Sequence, residues 1–418
     1  MALHFKLHKS FSVSNEQTLA HTNCIMVAIA IASAISLGLL FLFLRSDPSN
    51  DNLNVPSSVV STDTHKPMVS AVSSNMLFFG NAFWGRRTNT LAMASDLQYA
   101  YPFSGLAGFE RDTYNAWIAG LECPMVADYT PSAYQEEKLL SFNCNPDYLP
   151  EAKKWFTVFT LANNHTDNQG VAGFTETQKH LDEHGIQYFG HYDPKNLDNV
   201  CDVIAMPATA TLTDETTKTV NLPVALCGYH GFLELPPQES LAVMQQYSAY
   251  MPVIAMPHAG TEYKPAPNDI IAKLYRRMID NGADMVLGDH PHWVQTTESY
   301  NGHLIVYSMG NFMFDQQGSQ ELTRSAGINV RMTTPNADQL QQWIDLAVTC
   351  KNYHDDCLAH AKAKNLSKLP YTFTFGVVGT DSSDRITKPA SGSIQASIVD
   401  RMQWQQTMGQ LHSPYNAL

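Results

Sequence analysis

One pattern constrains this chain more than any other. From Met76 onward, short apolar runs alternate with helical patterns, and the apolar runs end in polar residues. Such alternation defines an α/β protein, and open α/β sheets build their ligand sites just beyond the carboxyl ends of their strands. The strands read as Met76-Leu-Phe-Phe79 ending in Gly80, Trp155–Leu161 running into Ala162-Asn-Asn-His165, Val224–Cys227, Val253–Met256, Asp284–Leu287 and Leu304–Tyr307. Residues 171–184 read as a helix with Val171, Phe174 and Leu181 on one face and Gly185 as its stop. Pro267-Asn-Asp opens another, with Ile270, Ile271, Leu274, Tyr275 and Met278 on one side and Gly282 closing it.

The polar clusters at these strand ends are Gly80-Asn81, Leu121-Glu122, Asn163-Asn164-His165, His258-Ala-Gly260 and Gly288-Asp289-His290-Pro291-His292. Together they offer the nitrogen and oxygen donors that divalent Zn, Mn or Fe accept. Each cluster alone is a weak signal, since a single histidine at a strand end is more often a hydrogen-bonded core residue. The His-Pro-His run is better, because strand alternation points His290 and His292 to one side. Asn163-Asn164-His165 suits a turn equally well, its amides satisfying backbone groups.

A second feature precedes this region. Cys24 to Leu44 carries no charge and, as a helix, spans roughly 31 Å, the thickness of a bilayer core. No small-x-small cleavage site follows it, so it reads as a transmembrane signal anchor, with residues 1–23 before it and a Ser-, Asn- and Pro-rich linker over 45–75 after it. Lys6 and Lys9 against Arg45 favour a cytoplasmic N-terminus and an extracytoplasmic C-terminal domain. Of the remaining cysteines, sequence proximity suggests Cys123–Cys144, Cys201–Cys227 and Cys350–Cys357 disulfides. Unpaired buried thiols are the competing reading, and an exported location favours bridges. The formal charge of −13 argues against a nucleic-acid surface.

Order and spacing of the blocks add a resemblance. LANNHTDNQGVAGFTETQKHLDEHGIQYFG (161–190), VIAMPHAGTEYKPAP (253–267), GADMVLGDHPHWVQTTESYNGHLIVYSMGNFMFDQ (282–316) and NAWIAGLECPMV (115–126) resemble the successive blocks of the CapA family of capsule-synthesis proteins. The resemblance implies a four-layer α/β/β/α metallophosphatase-like sandwich over 76–330, with 331–418 as a C-terminal extension packing on it. It implies a role in synthesis or export of a capsule-type polymer such as poly-γ-glutamate, alongside other synthesis or export subunits. Carried over by position, Asn81, Glu122, Asn164, His258, His290 and His292 are the implied ligands of one or two divalent metals, and His165 the general acid or oxyanion stabiliser. Asp167, Glu262 and Asp289 are candidates to orient those ligands. Arg86 and Arg87 are candidates to hold an anionic polymer or phosphorylated intermediate.

Two positions depart from the family pattern. Asn81 stands where the family has Asp, and Gly120 where it has Asn before Leu-Glu. Losing donors and charge weakens a metal site. The retained residues favour a membrane-anchored metal-dependent enzyme acting on an acyl-phosphate, phosphoester or peptide-like bond. The two departures favour a non-catalytic subunit of a synthesis or export complex. A third reading, a ligand-binding module lined by Trp84, Trp117, Tyr263 and Trp293, has the least support.

Overall fold

The computed structural model describes residues 67–353 and 356–417. The apolar run 24–44 and the linker up to residue 66 lie outside the described residues. Among the described residues, no helix is long and apolar enough to cross a membrane.

The architecture is mixed α/β and rich in sheet. In chain order the strands are β1 (Val69–Ala82), β2 (Ala116–Leu121), β3 (Val158–Thr160), β4 (Gln187–Phe189), β5 (Cys201–Leu212), β6 (Thr217–Gly231), β7 (Val253–Ala259) and β8 (Met285–Leu287). They continue as β9 (Thr297–Tyr300), β10 (His303–Val306), β11 (Asn311–Met313), β12 (Arg324–Pro335), β13 (Thr372–Asp381), β14 (Lys388–Pro389) and β15 (Tyr415–Ala417).

Strand β1 is shared by two sectors. Its residues 69–73 pair antiparallel with β5, and its residues 76–82 pair parallel with β2 along the same edge. The opposite edge takes β12 antiparallel and then β11 parallel. One sector runs β4-β3-β2-β1-β12-β13, the other β1-β5-β6-β7-β8-β10-β9. Alternate residues of the first sector enter different cores, as strand geometry requires. Leu77, Phe79, Trp117, Ala119 and Phe159 pack with Phe174 and Leu181 of the helix Gly170–His184. Met76, Phe78, Ala116, Ile118 and Val158 pack with the residues of β5 to β8.

Several expectations are corrected here. β1 begins at Val69, within the stretch read as linker; Val72 and Ser74 point inward, and Ser74 Oγ donates to the Pro207 carbonyl at 2.7 Å, so polar residues conceal the strand. The third strand is confined to Val158–Thr160. Val171 and Ile270 are exposed, each lying in the first turn of its helix off the buried stripe, whereas Leu274, Tyr275 and Met278 are buried. The part after 330 is integral, because β13 pairs with β12 along its whole length. All three suggested disulfides are present. Cys201 and Cys227 are register partners on β5 and β6.

Candidate metal centre

The parallel strands of both sectors aim their carboxyl ends at one region. Asn81 closes β1, Glu122 follows β2, Asn163 to His165 follow β3, His258 lies near the end of β7, and Asp289 to His292 follow β8. The two sectors are brought together at β1 and β11. A Cβ on Gly80 would stand 2.1 Å from the Gly310 carbonyl oxygen, so only glycine permits this approach. The approach sets Asn311 against Asn81, whose Nδ2 donates to Asn311 Oδ1 at 3.3 Å.

The His-Pro-His run does not form a strand. His290 has φ 92° and His292 φ 60°, and the local pairing is the single bridge His258↔Asp289. Both histidines reach the site through left-handed backbone. Such conformations are uncommon outside glycine and concentrate at functional sites.

Hydrogen bonding then fixes where the imidazole lone pairs lie. Asn311 Oδ1 accepts only, so His292 Nδ1–H donates to it at 2.7 Å and Nε2 is left bare. That bare nitrogen faces Glu122 Oε1 at 3.8 Å and Glu262 Oε1 at 3.9 Å. His258 Nδ1–H donates to Asp289 Oδ1 at 2.8 Å, so its Nε2 has no proton for Asn164 Oδ1, which nevertheless lies 2.7 Å away. His290 Nδ1 lies 3.0 Å from the same Nε2 and donates to it, leaving His290 Nε2 bare. Asn81 Oδ1, Glu122 Oε2, Asp289 Oδ2 and His290 Nε2 are all buried without a hydrogen-bond partner.

Electrostatics agree with this picture. Burial, and then neighbouring imidazoles, hold His258 and His290 well below the usual histidine range, and burial pushes His292 down to about 4. They are therefore neutral, the form in which imidazole binds metal. Burial followed by the charge of Asp289 pushes the Glu122 carboxyl well above its ordinary value, and burial does the same to Asp289. Buried acceptors facing acceptors are costly unless a proton on one of these raised carboxyls, or a cation, lies among them. By donor chemistry these residues fit a divalent metal. They are not a finished cage: among the described residues, no group of three His, Cys, Asp or Glu side chains is arranged to hold an ion, and asparagines complete the donor set.

The other sequence candidates divide between the site and its surroundings. His165 lies beside the site against Phe142, with ring centroids 4.3 Å apart. Its Nδ1–H donates to Asn168 Oδ1 at 3.1 Å, and burial lowers its pKa to about 4, so in this state it accepts a proton rather than giving one. Asp289 orients His258, and Glu262 faces His292. Asp167 is exposed, and its charge acts on His191, Tyr192 and His230 rather than on Glu122, His258, His290 or His292. Arg86 is not a free anion binder: its guanidinium holds Asp315 at 2.5 and 3.0 Å and lies 4.4 Å over the Phe142 ring. Arg87 is exposed. Trp84 and Trp117 are wholly core, while Tyr263 stacks on His292 at 5.6 Å. The sequence reading placed Asn163 in a polar cluster but gave it no role in the site, where its Nδ2 lies 3.2 Å from His258 Nδ1, and it gave Asn311 none. Asn311 lies in the quoted block 282–316, as Gly310-Asn311-Phe312.

Fold and site thus define a mixed α/β protein with a buried His, Asn and carboxylate centre at its strand ends. The family model described as "Bacterial capsule synthesis protein PGA_cap" matches residues 75–219 and 238–316, more than half of the chain, and the chain belongs to that family. It is similar to the "PGA biosynthesis protein CapA" of Bacillus subtilis (strain 168), with 31% identity over 266 residues, 60% of this chain and 66% of that protein. The "Capsule biosynthesis protein CapA" of Bacillus anthracis is 30% identical over 215 residues, 48% of this chain and 51% of that one. A "Probable polyglutamine synthesis accessory protein" of Mycobacterium tuberculosis (strain ATCC 25618 / H37Rv) is 25% identical over 238 residues, 51% and 59% of the two chains. The chain therefore spans between about half and two thirds of these relatives' lengths.

Proposed function

We propose that this chain is a membrane-anchored component of capsule-type, poly-γ-glutamate-like polymer synthesis or export, with a metal-dependent hydrolase- or transferase-type site at its strand ends. The family and the names of its relatives support the polymer class. Three disulfides support placement of the domain outside the cytoplasm, in company with other synthesis or export subunits. The two cores, one on each face of the β1–β4 sector, support a layered metallophosphatase-like sandwich.

One observation carries the site reading: buried lone pairs on Asn81, Glu122, Asp289 and His290 with no donor to meet them. Asn81, Glu122, Asn164, His258, His290 and His292 would hold the ion or ions, and Zn, Mn and Fe all suit that set. Such a cation supplies Lewis-acid polarisation of a phosphoryl or carbonyl oxygen. The chain's own residues do the rest. Asp289 fixes the tautomer and plane of His258, Asn311 does so for His292, and His165 takes up a proton near the reacting bond. Tyr263 stacks on His292 and Phe232 packs tilted against His290, so the two rings border the centre.

The alternative, a non-catalytic subunit, is favoured by Asn81 and by the unfinished cage. Metal analysis of the purified full chain separates the two. Stoichiometric Zn, Mn or Fe, lost in the His290→Ala/His292→Ala double variant, supports the enzyme. Absence of metal under every loading condition would defeat it.

A further inference from the structure

The centre has one more imidazole than the family blocks account for. His230 closes β6 in the sequence Gly228-Tyr-His-Gly231. In the parallel pairing of β6 with β7 it is the register partner of His258. Register partners on adjacent parallel strands lie about 5 Å apart and project to the same face, so His230 stands beside His258 on the site side of the sheet. Their proximity is also felt electrostatically, since His230 exerts the largest charge effect on His258 and acts on His290 and His165 as well.

The ring's tautomer is set from outside. Nδ1–H donates to the Tyr192 carbonyl at 2.5 Å. That carbonyl is positioned by the bridge between His191 and Tyr229, so the acceptor is built into the backbone. Nε2 consequently carries the lone pair, and it is buried with no partner. An imidazole whose one nitrogen donates to a backbone carbonyl while the other keeps a buried, bare lone pair has the arrangement of a metal-binding histidine. A satisfied core histidine would use both nitrogens.

We infer that His230 is a further ligand of this centre, binding a divalent cation through Nε2 on the His258 and Asn164 side. It adds a neutral donor where Asn81 has removed a charged one. The inference rests on the cation-binding reading above.

The test uses the full-length chain, purified in detergent, stripped with chelator and reloaded with Co²⁺ or Zn²⁺. Bound metal is counted by mass spectrometry, affinity by titration calorimetry, and Co²⁺ coordination by its visible absorption. His230→Phe keeps the ring volume and removes both nitrogens. It is expected to weaken metal binding by about tenfold or more and to alter the Co²⁺ spectrum. His230→Gln is the second variant should Phe disturb folding, and the same loss is expected. Wild-type stoichiometry, affinity and spectrum in a folded His230 variant would overturn the inference while leaving the cation centre standing. A wild-type chain that takes up no Co²⁺ or Zn²⁺ would overturn both.

Discussion

Gly120 and Asp289 compete for one space. A Cβ built on Gly120 would stand 2.3 Å from Asp289 Oδ2, so the carboxylate fills the volume that any side chain at 120 would occupy. The missing Asn before Leu-Glu is therefore matched by an acid delivered from the strand end across the sheet. Gly120→Ala is expected to destabilise the protein by about 1–3 kcal/mol through overpacking, and much less in an Asp289→Ala background. A double-mutant cycle from urea unfolding should give a coupling of about 1 kcal/mol or more. Additive effects would show that the two residues do not share this space.

Metal should stabilise what it binds. A ligand of the native state alone adds about 2.7 kcal/mol at a hundred times its dissociation constant. Chelator-treated protein is expected to gain that amount with Mn²⁺ or Zn²⁺, and the His290→Ala/His292→Ala variant to gain nothing. Equal shifts in both proteins, followed by calorimetry, would place the ion elsewhere.

Much of this was legible beforehand because strands and helices announce themselves locally. Phe174, Leu181, Leu274, Tyr275 and Met278 are buried as their periodicity predicts, and the polar clusters do sit at strand ends. What escaped depends on relationships through space. His290 and His292 converge by left-handed backbone, which alternation cannot anticipate. His230 is a single histidine in no motif, and only its pairing with His258 reveals it. The glycine at 120 reads as a loss until the carboxylate of Asp289 is seen beside it. β12 and β13 are far apart in sequence, so neither signals that the other completes it.

The buried imidazole of His165 gives stability a defined pH dependence. Unfolded, it titrates near 6.5; folded, near 4. Between those values the unfolded state binds more protons, so this group lowers stability as pH falls through that window and has no effect above it. In chelated protein, His165→Gln should gain in urea midpoint relative to wild type from about pH 6.5 down to 4 and keep a constant offset at higher pH. Curves that run parallel across the whole range would contradict the burial of this ring.

Arg86 has a structural task that its sequence position does not suggest. Its bidentate pair with Asp315 joins the segment after β1 to the segment after β11, and the Asp315 side chain is 9% exposed. Removing one partner of this partly buried pair strands the other charge, at about 1–3 kcal/mol. Arg86→Ala is expected to lower stability by an amount of that order, with Arg87→Ala close to neutral. Inorganic phosphate titrated into both variants provides the contrast. Unchanged stability together with weakened phosphate binding in Arg86→Ala would restore the anion-holding role.

The Cys123–Cys144 bridge sits one residue beyond Glu122 and closes the loop that runs beside Arg86, with Cys144 N also donating to the Pro124 carbonyl at 2.9 Å. It thus ties the backbone on the far side of the carboxylate to the segment 141–145. A loop of this length contributes about 3 kcal/mol by restricting the unfolded chain. The Cys123→Ser/Cys144→Ser variant should lose about that much stability and, because Glu122 is no longer anchored from its C-terminal side, should also bind Zn²⁺ more weakly. Cys350→Ser/Cys357→Ser, distant in the chain from every candidate ligand, should lose stability alone. Calorimetric Zn²⁺ titrations of the two variants decide this: equal affinities would mean that the first bridge stabilises the fold without positioning Glu122.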